Sequence, residues 1–184
     1  MGFPEARAVF IEGAGALYRN AGLMNKALCT LPRHVIFSCA ARVHAQHVFN
    51  PSAPALTLTR LQKVTADYGG ISAGRVAAQV SLLRKLGLLE IRPADDRRQR
   101  ILVPTEKMII EDHRWLISRL APMAALDLFH LTEEERTTPE FSLAFRMAWT
   151  TSAEEMAAFN GRHPTVAFFF MHDGGYSMML ELLR

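Results

Sequence analysis

Two short helical segments, separated by a pair of glycines, restrict the fold of this chain more than any other feature. In the first segment Leu61, Val64 and Tyr68 recur three and four residues apart, which is the spacing of one helix face. Thr59 can cap its N-terminus, and Gly69-Gly70 ends it because glycine accepts left-handed backbone angles. We therefore expect a helix that stops abruptly at residue 69.

The second segment repeats this pattern. Ser72 can cap its first turn, and Gly87 ends it. The apolar residues between them again follow helical spacing: Val76, Val80, Leu83 and Leu86. Two capped helices joined by about three residues that include glycine are typical of a helix-turn-helix.

Two short strands are predicted directly after this second helix. Residues 88–92 and 99–103 are rich in Leu, Ile and Val, and the polar residues 93–98 between them favour a turn. Helix, turn, helix and hairpin in this order make a winged helix-turn-helix. We therefore expect a mainly α fold with a small β-hairpin wing and with flanking N- and C-terminal helices.

The N-terminal flank contains two predicted helices. A loose helical pattern runs from Pro4 to about Leu23, and a clearer one starts at Pro32, a residue suited to a first turn, and continues to about Val48. Asn50 to Pro54 contains two prolines and predicts a turn. We assign residues 1–30 to an N-terminal helical arm and residues 31–107 to the winged helix-turn-helix DNA-binding domain.

The C-terminal flank, residues 108–184, is predicted to be helical and to serve dimerisation or to begin a further domain. Thr105 opens a long helix to about Phe129, with a break or kink near Pro122. Residues 131–139 predict a polar connection, and residues 140–159 predict one or two further helices. The last segment, 172–184, predicts a helix that either docks on the first domain or begins a domain beyond it.

The stretch from Ser72 to Lys107 resembles the MarR family of bacterial transcription regulators, and with the preceding helix the resemblance covers about 50 residues. It rests on linked positions in order: Ser72, Val76, Val80, Leu83, Gly87-Leu88, the wing motif Asp96-Arg97-Arg98, and Thr105-Glu106-Lys107. The chain departs from the family in its short wing, in Gly74 within the second helix, in Pro104, and in everything after about residue 130. The resemblance implies a regulator that binds double-stranded DNA, with the N- and C-terminal helices forming a dimer interface and a site for a small-molecule effector near it. A homodimer is also expected from the long apolar-striped helices on either side of the predicted DNA-binding domain.

The second helix, about residues 72–86, is the predicted recognition helix in the major groove. Its candidate contact residues are Ser72, Ala73, Gly74, Arg75, Ala78 and Gln79. Arg75 can bond both major-groove acceptors of guanine, and Gln79 can pair with adenine, each worth about 1–3 kcal/mol against a wrong base. The alternative for Ala77 or Ala78 is that one of them packs on the preceding helix.

The hairpin, about residues 90–103, carries four arginines, Arg92, Arg97, Arg98 and Arg100, and would reach the minor groove, where negative potential attracts arginine. The resemblance places Arg97 at the tip and gives Asp96 the role of supporting the wing through an ion pair. The alternative is a solvated hairpin whose charges only keep it soluble. Residues 57–107 contain ten basic and five acidic side chains, which favours DNA.

The sequence gives little support to membrane, secreted, metal-binding or catalytic classes of protein. The net charge of +3 divides into a basic part, residues 1–107, and an acidic part, residues 108–184. No apolar run approaches the roughly 18 residues of a membrane helix, no secretory signal is visible, and two cysteines make no disulfide framework, so the cytoplasm is expected. His44 and His47 lack further metal ligands at suitable spacing, and no catalytic motif, cofactor or metal site is predicted.

Two alternative functions stay open at this point. A winged helix can serve as a protein-interaction module without DNA binding, and such a surface would expose an apolar patch. A small-molecule sensor could also be built on the C-terminal helices.

Overall fold

The computed structural model describes residues 2–19, 22–68, 71–94, 99–148 and 153–184. In these ranges the chain is mostly helical, with a two-stranded antiparallel sheet, so the expected mainly α fold with a small β-hairpin is confirmed. The elements are α1 (Phe3–Tyr18), α2 (Leu23–Leu28), α3 (Leu31–Phe49), α4 (Leu58–Ala66), α5 (Ala73–Lys85), β1 (Leu89–Pro93), β2 (Arg100–Pro104), α6 (Glu106–Ala125), α7 (Glu133–Thr137), α8 (Glu140–Ala148), α9 (Ala153–Arg162), α10 (Pro164–Met171) and α11 (Gly175–Leu182).

Helix α3 lies at the centre of the main hydrophobic core. Its buried residues are Pro32, Val35, Ile36, Phe37, Cys39, Ala40, Ala41, Val43 and Ala45, which cover most of its circumference. A helix that is apolar on nearly all sides must be surrounded by other elements. The same core takes in buried residues from α2, α4, α5, both strands and the start of α6, so the hairpin and the helix pair share one interior.

The two predicted caps have different outcomes. Ser72 caps α5 as expected, since its Oγ accepts a hydrogen bond from the Arg75 backbone N–H at 3.3 Å. The prediction of Thr59 as the cap of α4 is wrong: Thr57 is the N-cap, and its Oγ1 accepts from the Arg60 N–H at 3.2 Å. Helix α4 therefore begins two residues earlier, and Thr59 lies exposed within its first turn.

The hairpin pairs Leu89 with Pro104 and Pro93 with Arg100, one residue later than predicted for each strand. Its base is tied to the rest of the fold at two points. The Leu102 N–H donates to the Leu56 carbonyl at 2.8 Å, and the Thr105 hydroxyl donates to the Gly87 carbonyl at 2.7 Å. These bonds hold the hairpin against the segment before α4 and against the end of α5.

The N-terminal prediction needs a correction. The first helix ends at Tyr18 rather than near Leu23, and a second short helix, α2, begins there. Gly22 has a φ of +51°, which side-chain-bearing residues rarely adopt, and this lets the chain change direction between the two helices. Helix α1 then lies along α6, and α2 lies against α3 and α5.

Helix α6 runs through Pro122 without interruption and ends at Ala125, four residues before the predicted end. Asp127 has a φ of +57°, a left-handed conformation that aspartate tolerates better than most residues and that stops the helix. The predicted polar connection 131–139 contains the short helix α7, which Thr132 and Glu135 cap reciprocally. Residues 140–159 contain two helices, α8 and the start of α9, within the range that was predicted.

The segment 172–184 contains helix α11, which packs on α1 and α10. The rings of Tyr18 and Tyr176 are 5.2 Å apart, and the Arg7 guanidinium donates to the Leu183 carbonyl. At the start of α11, Gly175 lies directly against the Phe169 carbonyl, where a β-carbon would have no room. In the described part of the chain, no helix is both long enough and apolar enough to span a bilayer.

Candidate nucleic-acid interface

The first turn of α5 is the most accessible part of the predicted recognition helix. Ser72, Ala73, Gly74 and Arg75 are all exposed. Three of these four side chains are very small, so a ligand could approach the helix backbone closely. The first turn also contains no acidic residue, which leaves the positive end of the helix dipole uncompensated. This turn is therefore suited to contact with an anionic partner.

Gln79 lies one helical turn after Arg75 on α5 but is buried rather than exposed. Its side chain is 4% exposed, and its Nε2 donates to the Ala27 carbonyl at 2.6 Å. The side chain thus connects α5 to α2 inside the fold, where it cannot reach a base edge. The predicted adenine contact by Gln79 conflicts with this position.

The adjacent alanines Ala77 and Ala78 of α5 differ in their exposure. Ala78 is exposed, as a contact residue must be, whereas Ala77 is half-buried. Ala78 is therefore the more accessible of the two. Ala78 stays with Arg75 on the outer side of α5, and both border a groove described below.

Several cations surround the helix pair. Lys63 on α4 and Arg84 and Lys85 at the end of α5 are exposed. Arg60 is half-buried, and its guanidinium donates to Gln46 Oε1 at 3.3 Å. These side chains can position a phosphate backbone without reading its sequence.

The hairpin presents two of its predicted arginines in the described residues. Arg92 is exposed and forms an ion pair with Glu90, with Nη2 and Oε1 2.5 Å apart. Arg100 is exposed as well. Because Arg100 pairs with Pro93 and Arg92 pairs with Ile101, the strand pleat places the two arginines on opposite faces of the hairpin. Asp96, Arg97 and Arg98 lie outside the described residues.

A groove of about 480 Å³ separates the outer side of α5 from the segment Met171–Asp173 after α10. Residues of α5 line one wall, namely Arg75, Ala78, Gln79 and Leu82, and Met171, His172 and Asp173 line the other. Asp173 is held in place by Arg33, with Nη1 and Oδ1 2.8 Å apart, and by the Cys29 thiol, which donates to the same oxygen at 3.2 Å. An acidic side chain of the C-terminal region therefore lies beside the predicted recognition helix. Sequence reasoning missed this proximity.

The histidines and cysteines singled out by sequence take part in local contacts. His47 Nδ1 lies 2.7 Å from the Ala53 carbonyl, and burial next to His47 and Arg92 lowers the pKa of His44. Burial raises the pKa of the Cys39 thiol to about 11 and also raises that of Cys29. In the ranges that the structure describes, no group of three or more His, Cys, Asp or Glu side chains is placed to hold a metal ion.

Sequence reasoning also missed a pair of adjoining cavities between α3, α6 and α10. Their volumes are about 220 and 280 Å³, and they share the wall residues Leu31, His34, Trp115 and Phe170. No local motif indicates them, because the walls come from segments more than 100 residues apart. Arg42 and Arg146 line the first cavity, and Arg119 lines the second.

Comparison with models of known protein families, with curated proteins and with solved structures found no match to this chain. The resemblance to the MarR family therefore rests on the sequence motifs of residues 72–107 alone.

Proposed function

We propose that the chain is a sequence-specific, DNA-binding transcription regulator that uses a winged helix-turn-helix of the MarR type. One arrangement carries the proposal: a capped helix with an exposed, small-residue first turn is followed at once by an antiparallel hairpin with exposed arginines. The bond from Leu102 to Leu56 adds support, because it joins the hairpin to the segment before the first helix of the pair. We propose no catalytic activity.

Helix α5 would enter the major groove of double-stranded DNA with its N-terminal turn. Arg75 would bond the two acceptors of a guanine, while the backbone near Ala73 and Gly74 comes close to neighbouring bases. Ala78 would contact a thymine methyl group. With Gln79 inside the fold, base reading depends on Arg75 and on this small-residue surface.

The hairpin would lie at the adjacent minor groove. Arg100, together with Arg97 and Arg98 of the predicted tip, would enter its negative potential, and Asp96 would support the tip. Arg92 is engaged by Glu90, so it would contribute only after exchanging that partner for phosphate. Lys63, Arg84 and Lys85 would contact the backbone on either side.

We propose a homodimer that acts in the cytoplasm. Exposed large apolar side chains are concentrated outside residues 31–107, on the N- and C-terminal helices, and include Phe3 on α1 and Met178 and Leu182 on α11. Such side chains are suited to an interface between subunits. A two-fold dimer would present two α5 helices to a palindromic site.

The test is selection of bound fragments from genomic DNA, followed by anisotropy titration of the selected site at several salt concentrations. We expect the Arg75→Ala variant to lose discrimination at one base pair by about 1–3 kcal/mol. Arg97→Ala and Arg100→Ala should weaken binding to all sequences and reduce the salt slope by about one each. Arg162→Ala, on α9, is the matched control and should bind like the parent chain. The proposal fails if no fragment is enriched, or if the arginine variants behave like the control.

Two alternatives predict different results. For a protein-docking module we expected an exposed apolar patch, but Leu58 is the one exposed large apolar residue among the described residues of 57–104. A docking role would therefore require an acidic partner, and DNA selection would yield no enriched sequence. The small-molecule sensor has a specific observation in its favour, the cavities between α3, α6 and α10.

A further inference from the structure

The end of α10 and the two residues after it lie beside the predicted recognition helix. This 171–173 segment, Met171, His172 and Asp173, forms one wall of the groove of about 480 Å³, and α5 forms the other. Arg33 of α3 also borders the groove. A part of the C-terminal region, where the sequence departs from the MarR family, therefore flanks the helix that is proposed to read DNA.

Asp173 fixes the position of the 171–173 segment. Its Oδ1 lies 2.8 Å from Arg33 Nη1 and accepts a hydrogen bond from the Cys29 thiol at 3.2 Å. The same Arg33 nitrogen donates to the Lys26 carbonyl at 2.8 Å, which orients the guanidinium. Helices α2 and α3 together thus hold an acidic side chain of the C-terminal region at the edge of the groove.

This attachment is weak enough to open. Every residue from Glu154 to Gly174 is at least partly exposed, whereas α11 is anchored by several buried residues. The Arg33 side chain is 32% exposed and that of Asp173 is 69% exposed. Exposed ion pairs contribute little to stability, and segments with few buried apolar contacts open without global unfolding. The 171–173 segment can therefore leave the groove while the main core stays folded.

DNA on α5 would need the space next to this segment. A helix with its side chains is about 10–12 Å across and the major groove is about 12 Å wide, so a phosphate strand runs close along each flank of a recognition helix. On one flank of α5 the 171–173 segment stands in that path. The Asp173 carboxylate has the same charge as a phosphate, and it engages Arg33, a cation that a phosphate could contact. The observed arrangement thus opposes DNA by its volume and by its charge.

We propose that the 171–173 segment is an autoinhibitory cover of the recognition helix, held by Asp173 on Arg33 and displaced when DNA binds. In the displaced state a DNA phosphate takes the place of the Asp173 carboxylate at Arg33. The inference rests on the proposed DNA binding, but the attachment of the cover can be measured without DNA.

Hydrogen exchange of the full chain, read by mass spectrometry, tests the attachment. We expect Asp173→Ala to accelerate exchange in residues 164–173 about two- to fivefold, the range for one partly exposed ion pair. Arg33→Gln should act in the same direction, and the double variant should add little, because both changes break one contact. Asp67→Ala is the matched control. Asp67 is exposed at the end of α4, so its removal takes the same charge from the helix pair and should leave exchange in residues 164–173 unchanged.

Anisotropy titration of the same variants tests the effect on DNA. The probe is a fluorescent duplex selected by the parent chain or, if the parent chain selects none, by the Asp173→Ala variant. Asp173→Ala should bind the duplex about two- to fivefold more tightly than the parent chain, and Asp67→Ala should gain clearly less. Arg33→Gln should also gain less than Asp173→Ala, since it removes a cation that the phosphate would contact. Circular dichroism checks that each variant folds.

The proposal is overturned if Asp173→Ala matches the parent chain in either exchange or affinity, or if Asp67→Ala tightens binding as much as Asp173→Ala does. Failure of the proposed function gives a different result. In that case neither the parent chain nor Asp173→Ala enriches any DNA fragment, and the autoinhibitory role fails with it.

Discussion

The Asp112 carboxylate and the Arg146 guanidinium form an ion pair inside the protein, with Arg146 Nη2 2.8 Å from Asp112 Oδ1. The Arg146 side chain is only 5% exposed and that of Asp112 only 1%. Arg146 Nε lies within hydrogen-bonding distance of both carboxylate oxygens. The pair joins α6 to α8 across 34 residues of sequence. Loss of either partner would remove these hydrogen bonds from a charge that stays buried.

We expect Asp112→Ala to lower the free energy of unfolding by about 3–5 kcal/mol, the usual cost of breaking a buried pair. Urea unfolding followed by circular dichroism measures the change. Glu111→Ala is the control, because its pair with Arg114 is partly exposed and should contribute less than about 1 kcal/mol. The double variant Asp112→Leu/Arg146→Met should recover much of the loss. Equal destabilisation by Glu111→Ala would contradict the role given to the buried pair.

Gln79 should behave as a structural residue although it belongs to the predicted recognition helix. Gln79→Leu leaves the Ala27 carbonyl without its donor, so the free energy of unfolding should fall by about 1–3 kcal/mol. The base preference of any selected DNA site should stay as it is. Chemical denaturation and DNA selection on the same variant separate the two effects. A changed preference at one base pair with unchanged stability would show that Gln79 faces DNA.

Gly175 should be irreplaceable at the start of α11. A β-carbon at this position would overlap the Phe169 carbonyl oxygen, so Gly175→Ala must push α11 away from α10. Hydrogen exchange in α11 should then accelerate markedly. Gly161→Ala in α9 is the control, because a β-carbon there meets no atom within 4 Å and alanine is the better helix former by about 0.5–1 kcal/mol. Unchanged exchange in Gly175→Ala would rule out this close contact.

The two thiols should react slowly in the folded chain. Because burial raises the pKa of Cys39 to about 11, almost none of its thiolate forms at pH 8, and alkylation should require unfolding. Burial and the hydrogen bond to Asp173 also raise the pKa of Cys29. Because Cys29 is only half-buried, its alkylation should be slowed less than that of Cys39. Mass spectrometry after timed alkylation with and without urea gives both rates. Rapid labelling of Cys39 in native buffer would be inconsistent with its burial.

The raised pKa of Cys39 also makes the stability of the folded chain depend on pH. The folded state holds the Cys39 proton more tightly than the unfolded state, whose thiol titrates near its ordinary value. The stabilisation that the protonated Cys39 thiol gives to the folded state is fully present below pH 9. It is lost as the pH rises toward about 11. Cys39→Ala should therefore flatten the alkaline part of the stability profile, measured as the urea midpoint against pH, while Cys29→Ala should flatten it less.

Local chemistry explains which predictions from sequence succeeded. The Ser72 cap, the end of α5 at Gly87 and the hairpin after it depend on residues close together in the chain, and the structure reproduces them within one residue. Thr57 and Thr59 are two residues apart and are both suitable caps, so spacing alone could not choose between them.

Contacts between distant segments explain which features the sequence did not predict correctly. The position of Gln79 depends on α2, whose carbonyl at Ala27 is 52 residues away in sequence. The cavity arginines, Arg42 and Arg119, come from different helices, and α9, α10 and α11 complete the walls. Pattern and spacing carry no information about such meetings, because they depend on how the helices pack.

The bond between Leu102 and Leu56 also affects how the protein behaves at high concentration. Strand β2 pairs with β1 on one side, and on the other side its central N–H is already occupied by the Leu56 carbonyl. Strand β1 ends at Pro93, which has no N–H to offer, and carries the charged pair Glu90 and Arg92. A hairpin with both edges blocked in these ways cannot easily recruit a strand from another molecule, so this part of the chain resists edge-to-edge aggregation.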